Sequence, residues 1–205
     1  LGAGRIEWTR AAGPPVEVAV VQGAIPQDQK WLDANRDRTL DLYAELTSEA
    51  LGVPLIVWPE AAAPDLANNI VPYLQTMATR AGERGSTLVM GVVRADRPEG
   101  VRETQYFNSV LALGREFAFY DKHHLVPFAE FFPVPAFVRG WLRLMSLPYS
   151  DFTRGAAVQP PLPAAGLQLA TTICYEDAYG STQLPVLAQA TALVNVTNDA
   201  WFGRS

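Results

Sequence analysis

The chain has 205 residues, 49% of them hydrophobic, ample for a packed domain; no repeat or linker divides it, so one domain over 1–205 is expected. With 16 basic against 21 acidic residues the net charge is −5 and no basic stripe appears, which disfavours nucleic acid, since phosphate contact needs clustered Lys and Arg. The single cysteine excludes an intrachain disulfide, and no apolar run reaches the roughly 18 residues of a membrane-crossing helix.

The first element expected is a strand at Val16–Gln22, from its β-branched content. Thr39, Tyr43, Leu46 and Ala50 then fall on one helical stripe, with Gly52 as its stop. Leu55–Trp58 is a short, wholly apolar strand of the kind buried on both faces. Ile70, Leu74, Met77 and Ala81 make a second helical stripe, ended by Gly82 and Gly85. Strands follow at Thr87–Val93, Phe107–Leu113 and Glu116–Lys122, the last two joined by a turn at Gly114. Leu167–Cys174 is another strand, and Ser181 or Thr182 caps a helix carrying Leu184, Leu187 and Ala188. Ala192–Thr197 reads as a final buried strand, ending in Asn198-Asp199. This order predicts an α/β fold with a mixed sheet and helices packed outside.

The stretch Leu125–Tyr149 stands apart, with Phe137, Trp141 and Leu144 among many large apolar residues, interleaved with prolines, Arg139 and Arg143. A connection this long is a lid or binding loop when it is ordered. Its Arg–aromatic mixture suits an arm lying at a lipid interface, with Phe137, Trp141 and Leu144 as lipid contacts; an ordinary loop tucked onto the core is the other reading.

Three reactive groups close apolar strands: Glu60 after Leu55-Ile-Val-Trp-Pro, Lys122 after Phe117-Ala-Phe-Tyr-Asp, and Cys174 after Leu167-Gln-Leu-Ala-Thr-Thr-Ile. Taken singly, Cys174 also fits a small buried hydrophobe, and Glu60 with Lys122 a simple ion pair. Together they supply what acyl transfer through a thioester needs. That is a thiolate, a base for its proton and positive charge where the oxyanion develops.

Glu, Lys and Cys at successive strand ends resemble the carbon–nitrogen hydrolase (nitrilase) superfamily, an α-β-β-α sandwich. Longer motifs resemble the apolipoprotein N-acyltransferase family within it. These are Val21-Gln-Gly-Ala-Ile-Pro-Gln27 with Lys30-Trp31, Trp58-Pro59-Glu60, Tyr120-Asp-Lys-His-His-Leu-Val-Pro-Phe-Ala-Glu-Phe-Phe-Pro133, Thr172-Ile-Cys-Tyr-Glu176 and Thr197-Asn-Asp-Ala-Trp-Phe-Gly203. The resemblance implies a bacterial inner-membrane enzyme whose nitrilase-like domain faces the periplasm between transmembrane segments. It implies an acyl chain taken from phospholipid, phosphatidylethanolamine above all, onto the cysteine, then passed to the α-amino group of an apolipoprotein's diacylglyceryl-cysteine.

By motif match Glu60 is the expected base, Lys122 the oxyanion partner and Cys174 the nucleophile. Glu130 matches a further active-site glutamate and Glu176 the acid of Cys-Tyr-Glu, while the Tyr175 N–H is a candidate oxyanion donor. Trp31 matches a tryptophan near the substrate entrance. Ala129 stands where the family usually has glycine, which would strain the backbone if φ there were positive. The chain starts at Leu1 without an initiator Met and stops directly after a motif, so it reads as a piece of something longer, truncated on the C-terminal side of the sandwich.

A soluble nitrilase-type amidase using the same three residues is the nearest alternative, and a non-catalytic lipid- or partner-binding domain a more distant one. A Cys-His-Asn set of Cys174, His123 or His124, and Asn198 leaves Glu60 and Lys122 without a task. Neighbouring histidines in an extended segment point to opposite faces, so no metal is expected, nor any cofactor.

Overall fold

The computed structural model describes residues 13–101, 103–114, 117–133 and 151–202. Its elements run β1 (Val18–Val20), α1 (Gln27–Lys30), α2 (Arg36–Ala50), β2 (Leu55–Val57), α3 (Val71–Glu83), β3 (Thr87–Asp96), β4 (Gln105–Leu113) and β5 (Phe117–Asp121). Then come β6 (Leu162–Ala164), β7 (Leu167–Ile173), a 3-10 turn at Cys174–Ala178, α4 (Gly180–Leu187) and β8 (Ala192–Val196).

Five strands form one sheet in the order β1-β2-β3-β4-β5. β1, β2 and β3 are parallel because α2 and α3 carry the chain back between them, whereas short turns make β3, β4 and β5 antiparallel. The second sheet, β6-β7-β8, begins with a hairpin whose two turn residues, Ala165 and Gly166, have φ of 51° and 75°, as a type I′ turn requires. β8 returns parallel to β7 through α4.

Alternating side chains of the first sheet feed two apolar clusters. Ile56, Trp58, Leu88, Met90 and Leu111 pack beneath Leu40 and Tyr43 of α2 and Leu74 and Met77 of α3. Leu55, Val89, Val110, Ala112 and Tyr120 face the other way and meet Leu162, Leu169, Ile173 and Val196 of the second sheet. The layering is helices, sheet, sheet, with α4 against β7, as the nitrilase-like α-β-β-α sandwich requires.

Three expectations change. Leu184 and Leu187 of α4 are exposed and Val186 is its buried residue, and the N-cap is Tyr179 rather than the expected Ser181 or Thr182. β8 alternates, with Leu193 and Asn195 exposed, so it is covered on one face rather than buried on both. The left-handed residue in the Pro127–Glu130 turn is Phe128, φ 66°, and Ala129 is not strained. Of the arm expected at Leu125–Tyr149, residues 134–149, with Phe137, Arg139, Trp141, Arg143 and Leu144, lie outside the described residues.

Candidate active site

β2 carries Glu60 to its place by continuing past its last ladder bond. Trp58 N donates to Val89 O, and the Trp58 indole, wholly buried, donates to Thr47 Oγ1 at 2.9 Å and packs on Tyr43. The chain then crosses directly over β3 at Gly91, with Gly91 N bonded to Pro59 O and Ala62 N to Gly91 O. A Cβ on Gly91 would stand 2.4 Å from Glu60 Cα, so only glycine lets the turn pass this close.

Lys122 follows β5 and donates its N–H to Asn108 O of β4 at 2.8 Å. Its ammonium is 2.9 Å from Glu130 Oε1 and 3.5 Å from Glu60 Oε1, with 1% of the side chain exposed. Burial pulls the Lys122 pKa down, but the Glu60 and Glu130 carboxylates outweigh it, so the net shift is upward and the ammonium stays charged. The Cys174 sulfur lies within electrostatic reach of Lys122 and adds, as the smallest contribution, to the same upward shift.

Glu130 is held by its own turn. Its Oε2 accepts the Val126 N–H at 2.8 Å, and its backbone N–H bonds Val126 O. The Glu60 Oε2 accepts the Asn198 N–H from the end of β8 at 3.2 Å. Asn108, mid-strand in β4, reaches both carboxylates with one amide.

Cys174 begins the turn after β7 with φ of 55°. This left-handed conformation costs a non-glycine residue about 1–2 kcal/mol, so it persists only because the surroundings impose it. The imposing group is Glu176, 1% exposed. Its Oε2 accepts the Ile173 N–H at 2.9 Å and the Tyr120 hydroxyl at 3.0 Å, while its Oε1 accepts the N–H groups of His123 and His124 at 2.8 and 2.9 Å. One carboxylate thus clasps the cysteine turn of the second sheet to the lysine strand of the first. Burial and the Glu176 charge push the Tyr120 pKa far above its ordinary value, so it remains a donor.

Glu60, Lys122 and Glu130 therefore converge, and Glu176 ties the turn that carries Cys174 to the strand that carries Lys122. Tyr175 is exposed, its hydroxyl paired with that of Tyr179. Trp31 is half-exposed, its ring 5.9 Å from the Lys30 ammonium, which in turn contacts the Glu60 carbonyl. The histidines serve elsewhere: His123 Nδ1 pairs with Gly155 O and His124 stacks on Tyr179, while Asn198 Nδ2 donates to Gln27. A cleft of about 1010 Å³ runs along the open edges of β1 and β8 past Pro59 and Asn198, and neither Cys174 nor Lys122 lines it.

Two residues escaped the sequence. Asn108 lies inside a strand buried at every position from Phe107 to Leu113, so no alternation marks it. Lys30 is 5% exposed, its ammonium 3.3 Å from Glu60 O, and burial, partly offset by the Glu60 charge, lowers its pKa to about 8.

The sandwich is that of the carbon–nitrogen hydrolases, and the chain belongs to that family, whose pattern matches residues 17–205. Its sequence is similar to apolipoprotein N-acyltransferases: 42% identical over 200 residues to that of Pseudomonas aeruginosa PAO1 and 38% over 202 to that of Methylococcus capsulatus Bath. These alignments cover 97% and 98% of this chain but 39% of each relative, so the chain spans about two fifths of their length. In fold it is similar to the carbon–nitrogen hydrolase of Helicobacter pylori G27, with TM-score 0.62, 18% identity, and coverage of 89% of this chain and 59% of that one. It is also similar to a mutant of the Nesterenkonia AN1 amidase, with TM-score 0.52, 19% identity, and coverage of 89% and 64%.

Proposed function

We propose that this chain is the catalytic domain of an apolipoprotein N-acyltransferase. It would move an acyl chain from a membrane phospholipid, phosphatidylethanolamine in the first instance, to the α-amino group of an apolipoprotein's N-terminal diacylglyceryl-cysteine. The observation that carries this reading is sequence similarity near 40% to enzymes of that name along almost the whole chain; the buried pairing of Glu60 with Lys122 supports it.

The chemistry balances with these residues alone. Glu60 takes the Cys174 proton, and the thiolate attacks the ester carbonyl of the donor. Lys122 and the Tyr175 N–H face the tetrahedral oxyanion. Collapse forms the thioester and breaks the ester C–O bond, Glu60 giving its proton to the departing lysophospholipid alcohol. The acceptor amine then attacks the thioester, loses a proton to Glu60 and leaves as an amide, and that proton returns to the thiolate. One ammonium faces two carboxylates in this buried cluster, so the site can host the travelling proton without acquiring net positive charge.

Membrane location, with the domain facing the periplasm, belongs to the same proposal, as does the role of residues 125–149 as a membrane-facing arm. After incubation of the intact protein with phospholipid, mass spectrometry should find one acyl chain on the Cys174 peptide and none in Cys174→Ala. Glu60→Gln and Lys122→Met should each lose the adduct, by at least about a hundredfold, while keeping the fold. An adduct persisting in Cys174→Ala overturns the reading. Release of free fatty acid with no transfer to an amine acceptor would favour a hydrolase.

A further inference from the structure

The Asn108 side chain occupies a position that no packing need explains. Its Nδ2 donates to Glu60 Oε1 at 2.7 Å and to Glu130 Oε1 at 2.8 Å, spending both of its hydrogens on two carboxylates of different loops. The orientation of the amide follows from electrostatics, since turning Oδ1 toward two carboxylates would set three acceptors face to face. As a result Oδ1 is buried with no hydrogen-bond partner among the described residues, a cost that calls for an explanation. The Asn108 backbone is committed too, its carbonyl accepting the Lys122 N–H. One residue thereby contacts the base, the second glutamate and the lysine strand.

We propose that Asn108 is a positioning residue for proton transfer from Cys174: its amide locks Glu60 Oε1 beside Lys122 and Glu130, leaving Glu60 Oε2 to receive the thiol proton. Among the described residues Oε2 has one long donor, the Asn198 N–H at 3.2 Å, whereas Oε1 is held by Asn108 and faces the ammonium. The other charges around Glu60 are Lys30, bonded to its carbonyl, and Glu130, while Glu176 is bonded to the backbone of His123 and His124, which follow Lys122 in the chain. Without Asn108, the two glutamates compete for Lys122 with no spacer, and Glu60 swings away from the thiol.

This inference rests on Glu60 acting as base to Cys174, and the test separates the two claims. Alkylation of Cys174 by iodoacetamide in the intact protein is followed from pH 6 to pH 10, alongside thermal unfolding. Wild type should react faster at neutral pH than an unassisted thiol. Asn108→Ala should lose on the order of a hundredfold at pH 7, as misplacing a reacting group by about an ångström does, yet match wild type within about twofold at pH 10. Asn108→Ser, polar but too short to reach both carboxylates, repeats the measurement should the alanine variant not fold. In a Glu130→Gln background, the Asn108→Ala effect should shrink to about threefold or less, because the pair it aligns is already broken.

An unassisted wild-type thiol refutes the base reading first. An assisted wild type with an equally assisted Asn108→Ala overturns the positioning role alone. So does a rate loss equal at every pH with a lowered unfolding temperature, and so does additivity with Glu130→Gln.

Discussion

Lys30 shows what a single residue can cost at this site. Its ammonium is buried with a backbone carbonyl as its hydrogen-bond partner, and burial lowers its pKa to about 8 from an ordinary 10.5. Below pH 8 the folded protein must hold the charge in a poorly solvated place, and the full penalty is present. Between about 8 and 10.5 the unfolded chain binds the proton that the folded one has released, so stability rises with pH through that window. Lys30→Met should therefore raise the unfolding temperature at pH 7, and its advantage should shrink by pH 10. A constant advantage, or none, would mean that the lysine is comfortably solvated. Glu60, Lys122 and Cys174 stand out in the sequence as candidates because each ends an apolar run and changes its chemical character abruptly. Lys30 and Asn108 do not: one sits in a polar-looking turn, and the other is a lone amide in a strand buried on both sides.

Among the elements, α3 was the most legible, since Leu74, Met77 and Ala81 recur at helical spacing and all three are buried. α4 was the least. Eight residues with an internal proline give little periodicity, and the residue it buries, Val186, is not on the stripe of leucines. β6 is three residues long around Pro163 and carries no strand signature of its own; its pairing with β7 makes it one. The β2–β3 pair contributes a position where an element's geometry reaches the chemistry. Gly91→Ala would drive a Cβ to 2.4–2.6 Å from the Glu60 Cα, the Pro59 carbonyl and the Ala61 N–H, backbone atoms with nowhere to go. Overpacking of this kind costs about 1–3 kcal/mol. The variant should melt earlier and lose Cys174 acylation beyond what its folded fraction explains; full activity per folded molecule would place Glu60 outside the reaction.

At the scale of the molecule, the groups proposed to react are shared between layers: Glu60 and Lys122 extend strands of the first sheet, and Cys174 a strand of the second. Glu176 clasps the two ends together, and behind it the apolar filling between the sheets sets how far apart they stand. Leu169→Ala, in that filling, should cost about 2–5 kcal/mol and also slow alkylation of Cys174, read in the fully folded protein. Leu74→Ala, in the filling on the helix side, should cost a similar amount and leave the thiol's rate unchanged. Equal effects of both on the thiol would break the link to sheet spacing. The orphaned oxygen of Asn108 and the left-handed turn at Cys174 are tolerated inside this same assembly. The thickness of the sandwich, a matter of leucines and valines, thus becomes a rate constant of the sulfur.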